Sequence, residues 1–463
     1  MEISKKPLSS GKDTVAINRL RLCSCFIVPL VLSVLIAVHF VPRKLHMAEE
    51  YLELALRPSN MPSSLLRPPG YAFFIRFINL AGGDLSENRL GPVYIGQGIV
   101  LGLATIAWYI TACRWMTAWH AWLMAMAFGC NPLVIVLVGS VHYDILHLSL
   151  SVLVGLLLVR AFADNTVNTG LAVLAGVACG AMTLVRTMTL VEPAFLALAL
   201  GLQTRMAKSR AVWLAWAAFS LAMAATIAPR TWENYVQTGQ FIPVNVQTMS
   251  ALWPMLEKPI KPNSVNYPWL DLWFSRGLPL LEKEVGPDAL NISYAPAHPL
   301  VLEHVFGARV RELVRTQPWV YFENFAHNAL FFLTGDSRVL IRSFIYYQDN
   351  GIYMLPKTWA LSFFVASSML LNVCGALGLA LGLWRRDPTV TILASLFFCL
   401  WVVHSMFYLD YRYLYVKFPF MLWFTGYLMG EYFKSRSSVQ KHPAWIPAVF
   451  ALSSCLGTAL LIF

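Results

Sequence analysis

The sequence predicts an α-helical polytopic membrane protein with about eleven transmembrane helices, juxtamembrane helices and a large extracytoplasmic loop domain. Three observations predict it. Of 463 residues, 57% are hydrophobic and 13% are charged, and a soluble domain carries roughly twice that charged share. Apolar runs near the ~20-residue spanning length recur along most of the chain. Lys and Arg gather in the short loops between those runs.

The runs lie near 22–40, 93–113, 118–138, 143–163, 170–187, 188–203, 212–228, 359–384, 389–406, 416–433 and 444–462. Asn131-Pro132 interrupts the third, and Pro193 falls within the pair at 170–203. Such breaks stand in a membrane where neighbouring helices or polar cavities satisfy the freed backbone. The first run is as long as a signal anchor and no small-residue cleavage site follows it, so it reads as retained.

Orientation follows from the basic residues. Lys5, Lys6, Lys12, Arg19 and Arg21 precede the first run, which puts the N-terminus in the cytoplasm. Counting forward, Arg114, Arg160, Arg205, Lys208, Arg210, Arg385, Arg386, Lys434, Arg436 and Lys441 all fall on the same side. The formal net charge of +11 therefore reads as membrane orientation, and no nucleic-acid partner is expected. The chain divides into an N-terminal transmembrane module (1–228), an extracytoplasmic loop domain (229–358) and C-terminal transmembrane helices (359–463). The N-terminal module carries a first outer loop at about 41–92.

The eight cysteines form no framework. Cys113, Cys130, Cys179, Cys374, Cys399 and Cys455 lie in or beside apolar runs, and Cys23-x-Cys25 opens the first. Their reading is buried small hydrophobe. No six-plus-six repeat or matched half-helices stand out, as many transporters would show. Asn291-Ile-Ser is a glycosylation sequon that arises often by chance.

Charged groups collect on the outer side of this topology. Glu49, Glu50 and Arg67 belong to the first outer loop. His142, Tyr143 and Asp144 open the fourth span, and Arg186 and Glu192 bracket the turn between the fifth and sixth. Arg230 and Glu233 begin the large loop, and Asp410 and Arg412 precede the tenth span. Ionisable groups at membrane depth are costly and point to a polar cavity or substrate site. Each alone reads equally well as an interfacial anchor or a structural ion pair; the set as a whole does not.

Several stretches, in order, carry a family resemblance: "AEEYLELAL", "RPPGYAFFIRF", "NPLVIVLVGSVHYDILHLSL", "GAMTLVRTMTLVEP", "APRTWENYVQTGQFIPVNVQTMSALW" and "YLDYRYLYVKFPF". The pattern resembles the GT-C superfamily of polyprenyl-phosphate-dependent membrane glycosyltransferases, in its protein mannosyltransferase and aminoarabinose transferase branch. It covers roughly residues 45–420. Two positions depart. Met47 stands where the family has an Asp before the loop-one Tyr, and Glu233 stands where it has Arg before Asn-Tyr.

The resemblance implies a GT-C-like fold and an inverting transfer of sugar from a polyprenyl phosphate to an acceptor hydroxyl on the outer face. Undecaprenyl and dolichyl donors both fit, as do glycan, lipid or protein acceptors. Such chemistry needs a general base, fixed cations for the leaving phosphate, and an apolar groove for the lipid. The carboxylate candidates are Glu50, Glu49 and Asp144. By family position the loop-one acid is the base, and Asp144 reads equally as a helix cap or positioning partner. The phosphate candidates are Arg67, Arg186, Arg230 and Arg412. Residues implied to line the lipid and sugar are Tyr51, Tyr71, His142, Tyr143, Asn234 and Tyr235.

Arg67 has the most specific context. A residue before proline is pushed to extended geometry. Pro69 suits the first position of a helix, whose N–H groups would then meet the same anion as the guanidinium. The aromatic run Tyr71, Phe73, Phe74, Phe77 and Ile78 would lie at the bilayer boundary. Arg67 reads alternatively as a lipid-headgroup contact, and Arg412 as an anchor of the tenth span. No cofactor is required; some members of the family use a divalent cation, and no histidine pair here has ligand spacing. Glycine-rich phosphate loops and Asp-x-Asp are absent, which favours a lipid-linked donor. Two rival classes stand beside this one: a lipid or amphiphile transporter, and a catalytically inactive GT-C-like assembly subunit. In each the chain is an integral, multi-pass protein, for the enzyme one of a bacterial inner membrane building envelope glycans.

Overall fold

The computed structural model describes residues 11–39, 46–56, 65, 67–83, 90–139, 141–164, 166–203, 207–245, 249, 252–257, 273–286, 298–334, 358–407, 414–435 and 451. Every regular element among them is helical. The N-terminal half runs α1 (Gly11–His39), α2 (His46–Leu56), α3 (Gly70–Ile78), α4 (Gly91–Ala112), α5 (Ala118–Gly129) and α6 (Pro132–Val138). It continues with α7 (Asp144–Phe162), α8 (Thr169–Val185), a 3-10 turn at Thr187–Thr189, α9 (Glu192–Leu202) and α10 (Arg210–Thr238). Then come α11 (Pro254–Glu257), α12 (Leu278–Val285), α13 (His298–Thr316) and α14 (Pro318–Thr334). The C-terminal helices are α15 (Thr358–Trp384), α16 (Pro388–Met406) and α17 (Leu414–Ser435).

Among the described residues, 6 helices are long and apolar enough to cross a membrane: Ile17–Leu35 of α1, α4, α7, α10, Ala366–Trp384 of α15, and α16. Each expected apolar run as far as 416–433 coincides with a described helix or helix pair, and the last, 444–462, lies outside the described residues except Ala451. The third run is broken where its proline predicted. α5 stops at Gly129, Cys130 and Asn131 turn, and Pro132 starts α6. Asn291 and its sequon lie outside the described residues.

Small residues let the helices approach closely, as apolar helices in lipid require. A Cβ on Gly176 of α8 would collide with the Phe219 carbonyl of α10, and one on Gly378 of α15 with the Phe424 carbonyl of α17. Large residues lock the other contacts. Trp108 and Trp423 stack at 6.0 Å with planes 6° apart, tying α4 to α17. The Trp108 indole donates to the Pro419 carbonyl at 3.1 Å.

A separate apolar cluster forms in the large loop from Trp253, Leu256, Leu281, Phe306, Val310 and Leu313. Trp253, one of the aromatics suited either to sugar stacking or to packing, is fully buried and packs. Beneath it Glu257 accepts hydrogen bonds from Trp253 Nε1 (2.9 Å), Arg276 (2.8 Å) and Arg309 (2.9 and 3.1 Å). Burial alone would raise the carboxyl pKa. The bonds from Arg309, Arg276 and Trp253, with the Arg309 charge, outweigh it and hold the group below the usual carboxylate range.

Two outcomes follow. A carboxylate depressed on folding stabilises fully above its unfolded value of about 4.3, and that stabilisation is lost as pH falls through the lower folded value. Protection of 298–316 against hydrogen exchange, corrected for the intrinsic pH dependence of the exchange rate, should therefore fall on acidification in the native chain, and Glu257→Gln should flatten that dependence and cost on the order of 2 kcal/mol. Gly176→Val and Gly378→Val should each lower the thermal midpoint in detergent, by about 1–3 kcal/mol of overpacking; unchanged midpoints would contradict the close approach.

Candidate functional site

The site is built where three helix ends meet. Asp144 is the first residue of α7; Tyr143 holds the N-cap position without a side-chain cap bond. Asp144 thus lies in the first turn, where the helix dipole favours a carboxylate, and does not cap it. Arg186 is the C-cap of α8, in extended geometry with φ −156° and ψ 120°. That extension ends α8 and turns the guanidinium onto Asp144. The Arg186 Nη1 donates to Asp144 Oδ1 at 3.0 Å, with both side chains buried. His142 Nδ1 lies 3.1 Å from the other carboxylate oxygen and 3.3 Å from the Asp144 backbone nitrogen. It donates to the carboxylate or accepts the amide N–H according to which ring nitrogen carries the proton. Tyr143 completes the frame, its ring stacked on His142 at 4.3 Å and under the Arg186 guanidinium at 5.5 Å.

The segment Leu65–Gly83 arrives at the same place. Arg67 is half-buried in a bend before Pro68, and α3 begins at Gly70 with Pro69 as its N-cap residue. The proline is therefore one position earlier than the N1 place the sequence predicts. Gly70 decides the docking. A Cβ there would sit 2.7 Å from the backbone carbon of Leu184 and the nitrogen of Val185, so the start of α3 presses against the end of α8, just before Arg186.

The aromatics of α3 divide between two faces. Phe73 (57% exposed), Phe77 (70%) and, beyond the helix, Leu80 face outward, with Arg76 exposed beside them. Tyr71 turns inward, wholly buried, and its hydroxyl donates to Gln97 Oε1 at 2.7 Å. Gln97 in turn donates to the Val138 carbonyl at the end of α6, at 2.8 Å. Tyr51 of α2 lies edge-on to Tyr71 at 5.4 Å and against Tyr143 at 5.6 Å. Tyr51, Tyr71 and Tyr143 thus link α2 and α3 to the Asp144–Arg186 pair. Helix α2 also carries Glu49 and Glu50, whose side chains lie outside the description.

Arg230, Asn234 and Tyr235 stand at the end of α10. Arg230 donates to Glu233 at 2.7 Å and to the Val244 carbonyl at 3.3 Å. Asn234 donates to the carbonyls of Ile242 and Val244 at 2.9 and 3.0 Å. Together they fasten the chain as it returns past Gly239, whose φ of +68° ends the helix. Tyr235 is half exposed, beside Trp232 at 6.1 Å. Glu233, the departure from the family pattern, is the partner of Arg230. Arg412 and Asp410 lie outside the described residues.

Sequence reasoning passed over Gln97 and His147. His147 sits one turn after Asp144 on α7, fully buried, with no hydrogen-bond partner on either ring nitrogen. His404 of α16 is also fully buried, its Nδ1 2.6 Å from the Leu400 carbonyl. Both imidazoles lie within electrostatic reach of Arg186 and Asp144. The spacing of Asp144 and His147 in "DILH" was the available signal, since residues three apart share a helix face. Among the described residues no group of three or more His, Cys, Asp or Glu is placed to hold a metal ion.

A buried pair broken on one side leaves an uncompensated charge, which costs about 3–5 kcal/mol. Arg186→Met and Asp144→Asn should each lower the thermal midpoint in detergent. The double variant should lose less than the sum of the two, a coupling that equal and additive losses would refute.

No protein-family model matches the chain, and no curated protein matches it. Solved structures do. The chain is similar to the archaeal oligosaccharyltransferase AglB from Archaeoglobus fulgidus in complex with an inhibitory peptide and a dolichol-phosphate, at 12% identity and a TM-score of 0.49. That match covers 97% of this chain and 55% of AglB, so the chain spans little more than half its length. It is also similar to ArnT from Cupriavidus metallidurans bound to undecaprenyl phosphate, at 13% identity and a TM-score of 0.38, over 93% of this chain and 82% of that one. Apo ArnT from the same organism matches at 14% identity and a TM-score of 0.38, over 91% and 78%.

Proposed function

We propose that the chain is an inverting membrane glycosyltransferase that moves a sugar from a polyprenyl-phosphate donor to an acceptor on the extracytoplasmic face. One observation carries this reading. The buried Asp144–Arg186 pair lies beside the start of α3, the helix whose other face is an exposed aromatic surface. A lipid-linked anionic sugar presents the same two parts: a charged head and an apolar tail. The reading goes with the eleven-span topology, an N-terminus in the cytoplasm, the loop of 229–358 outside and a bacterial inner membrane.

In this proposal Arg67 and the N–H groups at the start of α3 hold the donor phosphate, helped by Arg186, Arg230 and Arg412. Phe73 and Phe77 flank the prenyl chain. Tyr51, Tyr71, His142, Tyr143, Asn234 and Tyr235 line the lipid and sugar. The loop-one acid, Glu50 with Glu49 as the alternative, takes the proton of the acceptor hydroxyl. The acceptor oxygen bonds to C1 of the sugar as the C1–O bond to phosphate breaks, and the phosphate leaves with the electron pair. Both Asp144 oxygens face a cationic or ring-nitrogen partner. That supports a positioning role for Asp144 more than a base. A second reading, an inactive assembly subunit, is favoured by Met47 at the place of the family's loop-one Asp.

The deciding assay offers purified protein a panel of polyprenyl-phosphate sugars and identifies endogenous acceptors by mass spectrometry. Glu50→Gln should reduce transfer about 100-fold or more, and Asp144→Asn should also reduce it strongly. Normal rates in both would refute these assignments. Arg67→Ala should weaken donor binding about tenfold or more; unchanged affinity for the lipid-linked sugar would remove Arg67 from the phosphate site. Transfer by no donor in the panel would favour the inactive subunit.

A further inference from the structure

Helix α14 follows the large-loop cluster in sequence, yet its contacts descend along a membrane helix. Asn324 Nδ2 donates to the Met255 carbonyl of α11, between the cluster's Trp253 and Leu256, at 2.8 Å. One turn on, Asn328 Nδ2 donates to the Phe407 carbonyl at 3.0 Å, at the outer end of α16. The next residue, Ala329, accepts from the Trp401 indole at 3.0 Å. Phe332 then lies against His404 at 5.6 Å and Phe397 at 6.2 Å. At 1.5 Å per residue, Phe397 is about 14 Å below Met406 along α16. The C-terminal end of α14 therefore reaches well inside the bundle.

Polar groups at that depth find no partner in hydrocarbon. Lys417 of α17 finds its partners on α14. Its ammonium is buried, donates to the Phe332 and Leu333 carbonyls, and lies 5.9 Å from the Phe332 ring.

The opposite face of α14 is exposed and mostly apolar. Trp319 (79%), Phe322 (57%), Ala326 and Leu330 (62%) fall on one stripe, with exposed Glu323 near its outer end. The neighbouring α15 likewise exposes Met369, Leu370, Val373 and Leu377. Trp and a carboxylate near the top, then Ala and Leu below, follow the order from bilayer interface to hydrocarbon.

We propose that α14 is a membrane-inserted helix whose outward stripe faces lipid acyl chains and whose Phe332 and Leu333 carbonyls are held inside the bundle by Lys417. This rests on the membrane reading of the chain and its orientation, and not on the transfer reaction. The large loop then divides into a water-side part ending near Thr316 and a helix that re-enters the membrane.

The test places an environment-sensitive fluorescent amino acid at Leu330, in full-length protein in vesicles of brominated phosphatidylcholine. Val314 on α13 serves as the water-side reference and Leu377 on α15 as the span reference. All three side chains are exposed in the protein, so the probe disturbs little packing. Brominated lipid should at least halve emission at positions 330 and 377 and leave 314 unchanged. Aqueous iodide should quench only 314. Iodide quenching at 330 with lipid quenching at 377 overturns the insertion of α14 alone. Loss of lipid quenching at both overturns the membrane reading as well. Lys417→Arg keeps a donor and should keep the quenching at 330; full retention in Lys417→Met would remove the part of Lys417 in holding α14.

Discussion

The Asp144–Arg186 ion pair is the contact on which the candidate site depends. It joins the first turn of α7 to the C-cap of α8, two ends that would otherwise carry unmatched charge inside an apolar bundle. Such a pair is costly to bury and holds only with good geometry and further partners. His142 and Tyr143 supply them, one against the carboxylate and one under the guanidinium. Once α7 and α8 are joined, the end of α8 offers a backbone surface that only a glycine can approach. Gly70 does so, and α3 is placed by it. The aromatic contacts of Tyr51, Tyr71 and Tyr143 then bring α2 into the same assembly.

The rest of the bundle meets one recurring constraint, that a polar group inside apolar surroundings needs its partner within the chain. Indole N–H groups find theirs on backbone carbonyls: Trp216 donates to Pro193, Trp213 to Ala207, Trp108 to Pro419 and Trp401 to Ala329. Gln97 serves the end of α6, and Lys417 donates to the Phe332 and Leu333 carbonyls of α14. The tryptophan content of this chain is thus partly a supply of single, rigid donors on large apolar bodies.

Position along the chain predicted the helices well and the loop less well. The apolar runs foresaw where helices lie because lipid tolerates few alternatives to a continuous hydrogen-bonded helix. The break at Asn131-Pro132 was legible because proline lacks the N–H that would continue the ladder. Within the candidate site, the convergence of Asp144, His142, Tyr143 and Arg186 was foreseen as a set, without its pairing. Gln97 and His147 escaped notice because a lone polar residue in an apolar run reads the same whether it faces a site or fills a core. Arg230 and Arg186 looked alike as outer-face arginines. One grips the turn that follows its own helix, and the other grips a carboxylate 42 positions away.

The sequence by itself determined the all-helical class and the apolar character, because these follow from local composition and period. It also determined the aromatic run after Arg67, but not how that run divides. Tyr71 faces inward and Phe73 and Phe77 face outward because α3 is rotated by its glycine contact with α8. Only the tertiary structure decided which buried charge meets which, where α14 leaves the large-loop cluster, and which lysine meets its carbonyls. Those are pairings between residues tens to hundreds of positions apart. Their energies depend on desolvation and on a few tenths of an ångström, quantities that no local pattern carries.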